Sequence, residues 1–305
     1  MKLLHGKQLK FEELVKINFD IFIMATSHEE RFVTLNSKKE LNFKKRVILS
    51  YKSCPLKIDD PNTAVYEAFS EDYFETVIFM LDTEIPLMGL KQNINILVDY
   101  SSMTKSWYYT IMSYFTLKQL EYENVNIYFS YTPSTFSEPL NPKHNSYIDP
   151  IPGRFNIPTL DKPKALIVGL GYENKKAEGI IEYLDPKVTY ALYSKPSFDV
   201  RFSDAVEENN KKLIEDLGEN VITFPFNDLL SIERILTSLY FSLRDEYNVI
   251  IAPLGPKPFT LIAMLLSIKF DDIDVWRVSS GSDFNKYNRQ AYEDEFVICE
   301  IKFIK

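Results

Sequence analysis

A chain of 305 residues with 45% hydrophobic and 26% charged side chains has the composition of a globular protein with room for two domains of ordinary size. Its 35 basic and 43 acidic side chains leave a net charge of -8 and a pI near 5.2, the wrong sign for a surface that grips extended nucleic acid. The only cysteines, Cys54 and Cys299, lie in opposite halves, which argues against a disulfide framework and for a reducing, cytoplasmic compartment; His5, His28 and His144 lack the paired spacing of structural zinc.

In chain order, the amino-terminal MKLLHGKQLKFEELVK turns polar after one Leu pair, and no later apolar run approaches the roughly 18 residues of a membrane span. Neither a signal peptide nor a membrane partner is expected. Phe19 to Ala25 reads as a buried strand, followed by the turn Thr26-Ser27-His28-Glu29 and a helix from Glu30. Lys45 to Tyr51 reads as a second strand and Thr63 to Leu81 as an amphipathic helix. Asn93 to Phe115, NINILVDYSSMTKSWYYTIMSYF, then carries an almost uninterrupted apolar run into an acid, a group of hydroxyls and a lysine, after which the apolar spacing becomes helical. This is strand, loop and helix, with Trp107, Tyr108, Ile111 and Phe115 expected in the core. Val125 to Tyr131 is the last strand of the first half.

Five prolines between Asn141 and Pro163, with no surviving period, mark a linker, and the domains are expected at 1–155 and 156–305. In the second half, strands are expected at Lys164 to Gly169, Lys187 to Tyr193, from Val249, and at Ile273 to Ser279. Helices are expected at Asn174 to Tyr183, Ala205 to Leu217, Asn227 to Leu243 and Pro258 to Lys269. Glu295 to Ile304 reads as an additional strand, at the sheet edge or across the two halves. The halves match segment by segment. Ser27-His28-Glu29-Glu30-Arg31 lies over Gly171-Tyr172-Glu173-Asn174-Lys175 at an offset of 144 residues, and Lys45 to Tyr51 lies over Lys187 to Tyr193 at 142. NILVDYSSMTK lies over VIIAPLGPK, and the last strands each lead to a Ser-rich turn ending in Phe136 or Phe284. The expected fold class is α/β: two tandem Rossmann-like domains arising by internal duplication, each a mainly parallel sheet with helices on both faces.

Ligands of such sheets bind at the carboxyl ends of the strands, where backbone N–H groups and a helix dipole favour negative charge. The loop from Asp99 to Lys105 is therefore the principal candidate. Ser101, Ser102 and Thr104 can cap the helix or reach an anion, Lys105 can neutralise a phosphate, and Asp99 can accept from a ribose hydroxyl. The second copy, Leu254-Gly255-Pro256-Lys257-Pro258, keeps only Lys257. In the first turns, Ser27, Glu29 and Arg31 align in sequence with Gly171, Glu173 and Lys175; Arg31 is either a phosphate contact held by Glu29 or an exposed base beside a helix-terminal acid. Asn174 replaces the third glycine of a dinucleotide fingerprint, so no nicotinamide or flavin cofactor is expected. Trp276, Arg277, Ser279, Ser280 and Ser282 are candidates to line a cleft with Gly171, and Asp271-Asp272-Asp274 reads as a solvated turn. No nucleophile elbow, P-loop or zinc-protease motif is present.

Two such units, each with a hydroxyl- or Gly-bearing turn after its first strand and a lysine-bearing loop after a later one, resemble the CARF (CRISPR-associated Rossmann fold) and SAVED families. The resemblance is one of architecture. It implies prokaryotic antiviral defence and a cyclic oligonucleotide or dinucleotide bound between the two folds, facing Thr26-Ser27, Leu170-Gly171, Ser101 to Lys105 and Gly255 to Lys257. Some relatives cleave the ring, which would make Ser102 and Lys105 catalytic candidates in a phosphodiesterase. No effector domain is attached, so the implied output is a separate effector protein, or the chain is a binding, degrading or interaction subunit alone.

Overall fold

The structure is a computed structural model that describes residues 1–27, 29, 31–56, 58–69, 74–89, 92–118, 120–139, 147–152, 161–173, 175–279, 289–292 and 294–305. The chain divides into two compact units, Met1–Thr135 with Asp283–Lys305, and Phe136–Ser282.

In the first unit the strands are β1 (Lys2–Leu9), β2 (Asn18–Ala25), β3 (Asn42–Tyr51), β4 (Thr63–Ala68), β5 (Asn93–Asp99), β6 (Asn124–Tyr131) and, from the far end of the chain, β13 (Val297–Ile304). Its helices are α1 (Phe11–Leu14), α2 (Arg31–Thr34), α3 (Phe74–Glu84) and α4 (Lys105–Leu117). The seven strands lie in the order β1-β13-β6-β5-β2-β3-β4, with β4, β3, β2, β5 and β6 parallel and β13 and β1 antiparallel to their neighbours. Central β2 is apolar on both faces because both are covered. Phe22 and Met24 pack with Leu14 and Leu35 on one side, while Ile21 and Ile23, equally buried, point to the other. Helix α4 is buried from Ser106 to Phe115 and packs beside α3; the aromatic stripe Trp107, Tyr108, Ile111 and Phe115 is core, as its spacing predicts.

In the second unit the strands are β7 (Tyr147–Pro150), β8 (Lys164–Gly169), β9 (Val188–Ser194), β10 (Val221–Phe224), β11 (Asn248–Pro253) and β12 (Ile273–Ser279). The helices are α5 (Lys176–Leu184), α6 (Val200–Asn209), α7 (Lys211–Leu217), α8 (Leu229–Leu243) and α9 (Lys257–Lys269). The order is β10-β9-β8-β11-β12-β7, parallel except for β7. Leu166 and Val168 pack with α5 through Ala177, Ile180 and Leu184, while Gly169 faces Phe259 of α9. Numbered within its own parallel set, each sheet runs 3-2-1-4-5 with an antiparallel strand beside the fifth. The direction of winding reverses between β2 and β5 in one unit and between β8 and β11 in the other, which is where doubly wound sheets open a crevice.

Several expectations need correction. The boundary near 155 is replaced by one at 135, and residues assigned to the second domain at the chain's end belong to the first unit, because β13 pairs with β1 and β6. The supposed linker holds β7, antiparallel to β12, and Arg277 of β12 reaches Asp149 of β7 with bonds of 3.1 and 3.0 Å. Arg277 is thus committed to strand pairing. Residues 141–146 and 153–160, like Ser280 and Ser282, lie outside the described residues. Thr63 to Leu81 is not one helix: its first part is β4, where Val65 and Tyr66 suit an edge strand against β3. Ala205 to Leu217 is broken at Asn210, whose side chain donates to the carbonyls of Val206 and Gly171. Asp272 accepts the Tyr240 hydroxyl at 2.6 Å. Among the described residues, no helix is long and apolar enough to cross a membrane.

Candidate ligand site at the carboxyl edge of the first unit

The loop after β5 is built by its own backbone needs. Asp99 is buried, and one carboxylate oxygen accepts the Ser101 amide at 3.0 Å, closing a turn as the chain leaves the strand. The Ser101 hydroxyl accepts the Thr132 amide at 2.8 Å, tying this loop to the end of β6. Asp99 and Ser101 therefore set the loop's shape. Ser102 and Thr104 do something else. Thr104 holds the N-cap position of α4 with extended backbone, yet its side chain makes no capping bond. Both hydroxyl oxygens are buried without a hydrogen-bond partner. Lys105 follows as the first helical residue, with no acid in the first turn to offset the dipole.

The turn after β2 is also internally committed. The Ser27 hydroxyl accepts the Glu29 amide at 3.0 Å. Arg31 is buried, and its guanidinium donates twice to Glu29 Oε2, at 2.8 and 2.5 Å. It also donates to the Tyr131 hydroxyl and the Thr132 carbonyl at 3.4 and 3.3 Å. Burial works against the charge on Arg31, but Tyr131 and Glu29 more than offset it and hold its pKa above the usual value. Neither an exposed base nor an open phosphate contact, Arg31 is a buried tie between the ends of β2 and β6.

Tyr51, at the carboxyl end of β3, completes the edge. Its amide is held by Thr26 Oγ1 at 3.0 Å and its hydroxyl donates to the Ser102 carbonyl at 2.8 Å. Its ring stacks on Trp107. Burial pushes the phenol well up, outweighing a contact with the Thr104 backbone that favours the phenolate, so Tyr51 is a neutral donor. Sequence reasoning singled out neither Tyr51 nor Thr132 for the site. A signal for the first existed, since Tyr51 and Tyr193 occupy the same place in the matched strands; Tyr193, however, donates to Glu207 at 2.8 Å.

The second unit's edge is closed by backbone. A Cβ on Gly171 would sit 2.5 Å from the Leu254 carbonyl oxygen, and one on Gly255 would sit 2.7 Å from that of Leu170. These glycines let the loops after β8 and β11 lie against each other. Glu173 pairs with Lys176, and Lys257 opens α9 behind Pro256. Gly171→Ala is expected to lower the stability of this unit by about 1–3 kcal/mol, because backbone must move. Urea unfolding measures it; an unchanged midpoint would contradict the close packing.

The candidates thus separate. Ser27, Glu29, Arg31, Asp99 and Ser101 hold the first unit's loops together, Ser102, Thr104 and Lys105 gather at the amino end of α4, and Gly171, Glu173 and Lys257 belong to the second unit's own edge. No protein-family model and no curated protein sequence matches the chain. One solved structure aligned to it is described as the adenylation, ketoreductase and pseudo Asub multidomain structure of a keto acid-selecting NRPS module. It has 8% sequence identity and a TM-score of 0.22, over 83% of this chain and 27% of that one. The chain thus spans about a quarter of that protein's length.

Proposed function

We propose that the chain is a ligand-binding module for a nucleotide-like, phosphate-bearing molecule, bound at the amino end of α4, and that its two units are Rossmann-like copies of one ancestral α/β unit. The observation that carries the binding reading is the pair of buried hydroxyls, Ser102 and Thr104, that lack hydrogen-bond partners at a helix amino end followed by Lys105. A buried hydroxyl without a partner costs about 1–3 kcal/mol, and a phosphate oxygen is the acceptor that hydroxyls, helix dipole and lysine all favour. The shared strand order and the matched segments support the duplication. Within this reading, the resemblance to CARF and SAVED proteins suggests a cyclic oligonucleotide sensor in prokaryotic defence, working with a separate effector. Calorimetric titration with cyclic tri- and tetra-adenylate tests it. Heat is expected from the native chain and none from Lys105→Ala; equal heat from both would remove this loop from the site.

A second reading, an interaction subunit, is favoured by the large apolar side chains that α3 and α4 leave exposed, Phe79 at 64% and Leu117 at 58%. It becomes the better one if no nucleotide binds and Phe79→Glu abolishes a partner contact.

A further inference from the structure

The amino end of α4 is covered by a side chain from another strand. The Tyr51 hydroxyl reaches the Ser102 carbonyl, and its ring lies on Trp107 with centroids 4.5 Å apart and planes 25° apart. Trp107 is fully buried on the first turn of the helix, and its indole N–H has no hydrogen-bond partner. Nor do the hydroxyls of Ser102 and Thr104. Three donors therefore lie buried and unanswered within six residues of one another, around a ring that brings a single neutral oxygen. Each such donor costs about 1–3 kcal/mol, so a ligand that brings acceptors to them is stabilised by meeting them. An anionic group brings several acceptor oxygens together with the charge that the helix terminus favours.

We propose that Tyr51 is a displaceable plug of this site: its ring closes the way to the helix end, and an anionic ligand enters by turning the ring off Trp107 and giving acceptors to the hydroxyls of Ser102 and Thr104 and to the Trp107 indole. This rests on the reading that the α4 edge binds a phosphate-bearing ligand. The plug selects by charge. A neutral polyol offers no more to the helix terminus than the phenol it would replace, whereas a phosphate gains from the dipole and from Lys105. The hinge is χ1 of Tyr51, because its backbone is fixed by the Thr26 hydroxyl and by its pairing with Ala68 of β4.

The chain has two tryptophans, so Trp276→Phe leaves Trp107 as the sole reporter. In that background, cyclic tetra-adenylate and, separately, inorganic pyrophosphate are titrated against Tyr51 and Tyr51→Phe chains, following indole emission, acrylamide quenching and heat. Circular dichroism checks that each variant is folded. Tyr51→Phe keeps the stacked ring and deletes the oxygen; losing one net hydrogen bond of the closed state should tighten binding about two- to tenfold. In the Tyr51 chain, binding should shift Trp107 emission and raise its quenching. Binding seen only in Tyr51→Phe would overturn the displaceable plug, because the native ring would then not yield to the ligand. Heat of equal affinity in both chains with Trp107 emission unmoved would overturn the plug and leave the site standing. No heat from either probe in either chain would overturn the site itself, and the plug with it.

Discussion

Arg31→Met is expected to destabilise the first unit by about 3–5 kcal/mol, the cost of leaving a buried charge without its partner. Glu29 has only 12% of its side chain exposed, and its remaining cation, Arg289, stands 4.0 Å away. The Thr132 carbonyl and Tyr131 hydroxyl lose a donor in the same step. Lysine should not rescue the loss, because a single ammonium cannot span Glu29, Tyr131 and Thr132 as a planar fork does. The double variant Glu29→Gln/Arg31→Met should recover part of the stability, since removing both charges avoids the orphaned carboxylate. Urea denaturation of the three variants forms the cycle. A cost below about 1 kcal/mol for Arg31→Met would show the pair to be a surface contact. Because Arg31 acts through folding, its loss should weaken ligand binding only as far as it unfolds the unit, in contrast to Lys105→Ala.

Ending the chain at residue 282 should abolish folding of the first unit while sparing the second. β13 is an interior strand, paired with β1 on one side and β6 on the other. It buries Val297, Ile298, Cys299, Ile301 and Phe303 almost completely. At about 1.5–3 kcal/mol for each side chain removed from water, their loss is on the order of 7–15 kcal/mol, as large as the whole stability of an ordinary domain. Without β13, β1 has no neighbour in the sheet. Limited proteolysis should therefore digest residues 1–135 of the shortened chain and leave a resistant fragment covering 136–282. A shortened chain that melts in one step at the full-length temperature would contradict the strand's placement.

How much could be read beforehand follows from what each element depends on. β2, β5, β8 and β11 were legible because strands covered on both faces are written as continuous apolar runs, and the helices after β5 and β11 because the period changes at a lysine. β4 was not, since Thr63–Ala68 runs into the apolar spacing of α3 and an edge strand needs no continuous apolar run. β10 has four residues, and β1 carries Lys2, Lys7 and Gln8, so neither announces itself by composition. β13 read as a strand, but its partners lie some 170 residues earlier for β6 and nearly 300 for β1, and no local pattern carries that information. The site shows the same division. Residues 99 to 105 were identified from the strand-loop-helix change, whereas the roles of Asp99 and Ser101 as loop ties, of Arg31 as a buried clasp and of Tyr51 as the cover of α4 depend on Thr132, Tyr131 and Trp107 meeting them from other strands and helices.

An anionic ligand is expected to reach the first turn of α4. Amide NMR of the full chain titrated with cyclic tetra-adenylate tests this directly. The predicted result is saturable shifts concentrated at Ser102, Thr104, Lys105, Ser106 and the Trp107 indole, with Gly255 and Lys257 unmoved. Shifts confined to the second unit, or none at all at the α4 terminus, would contradict it.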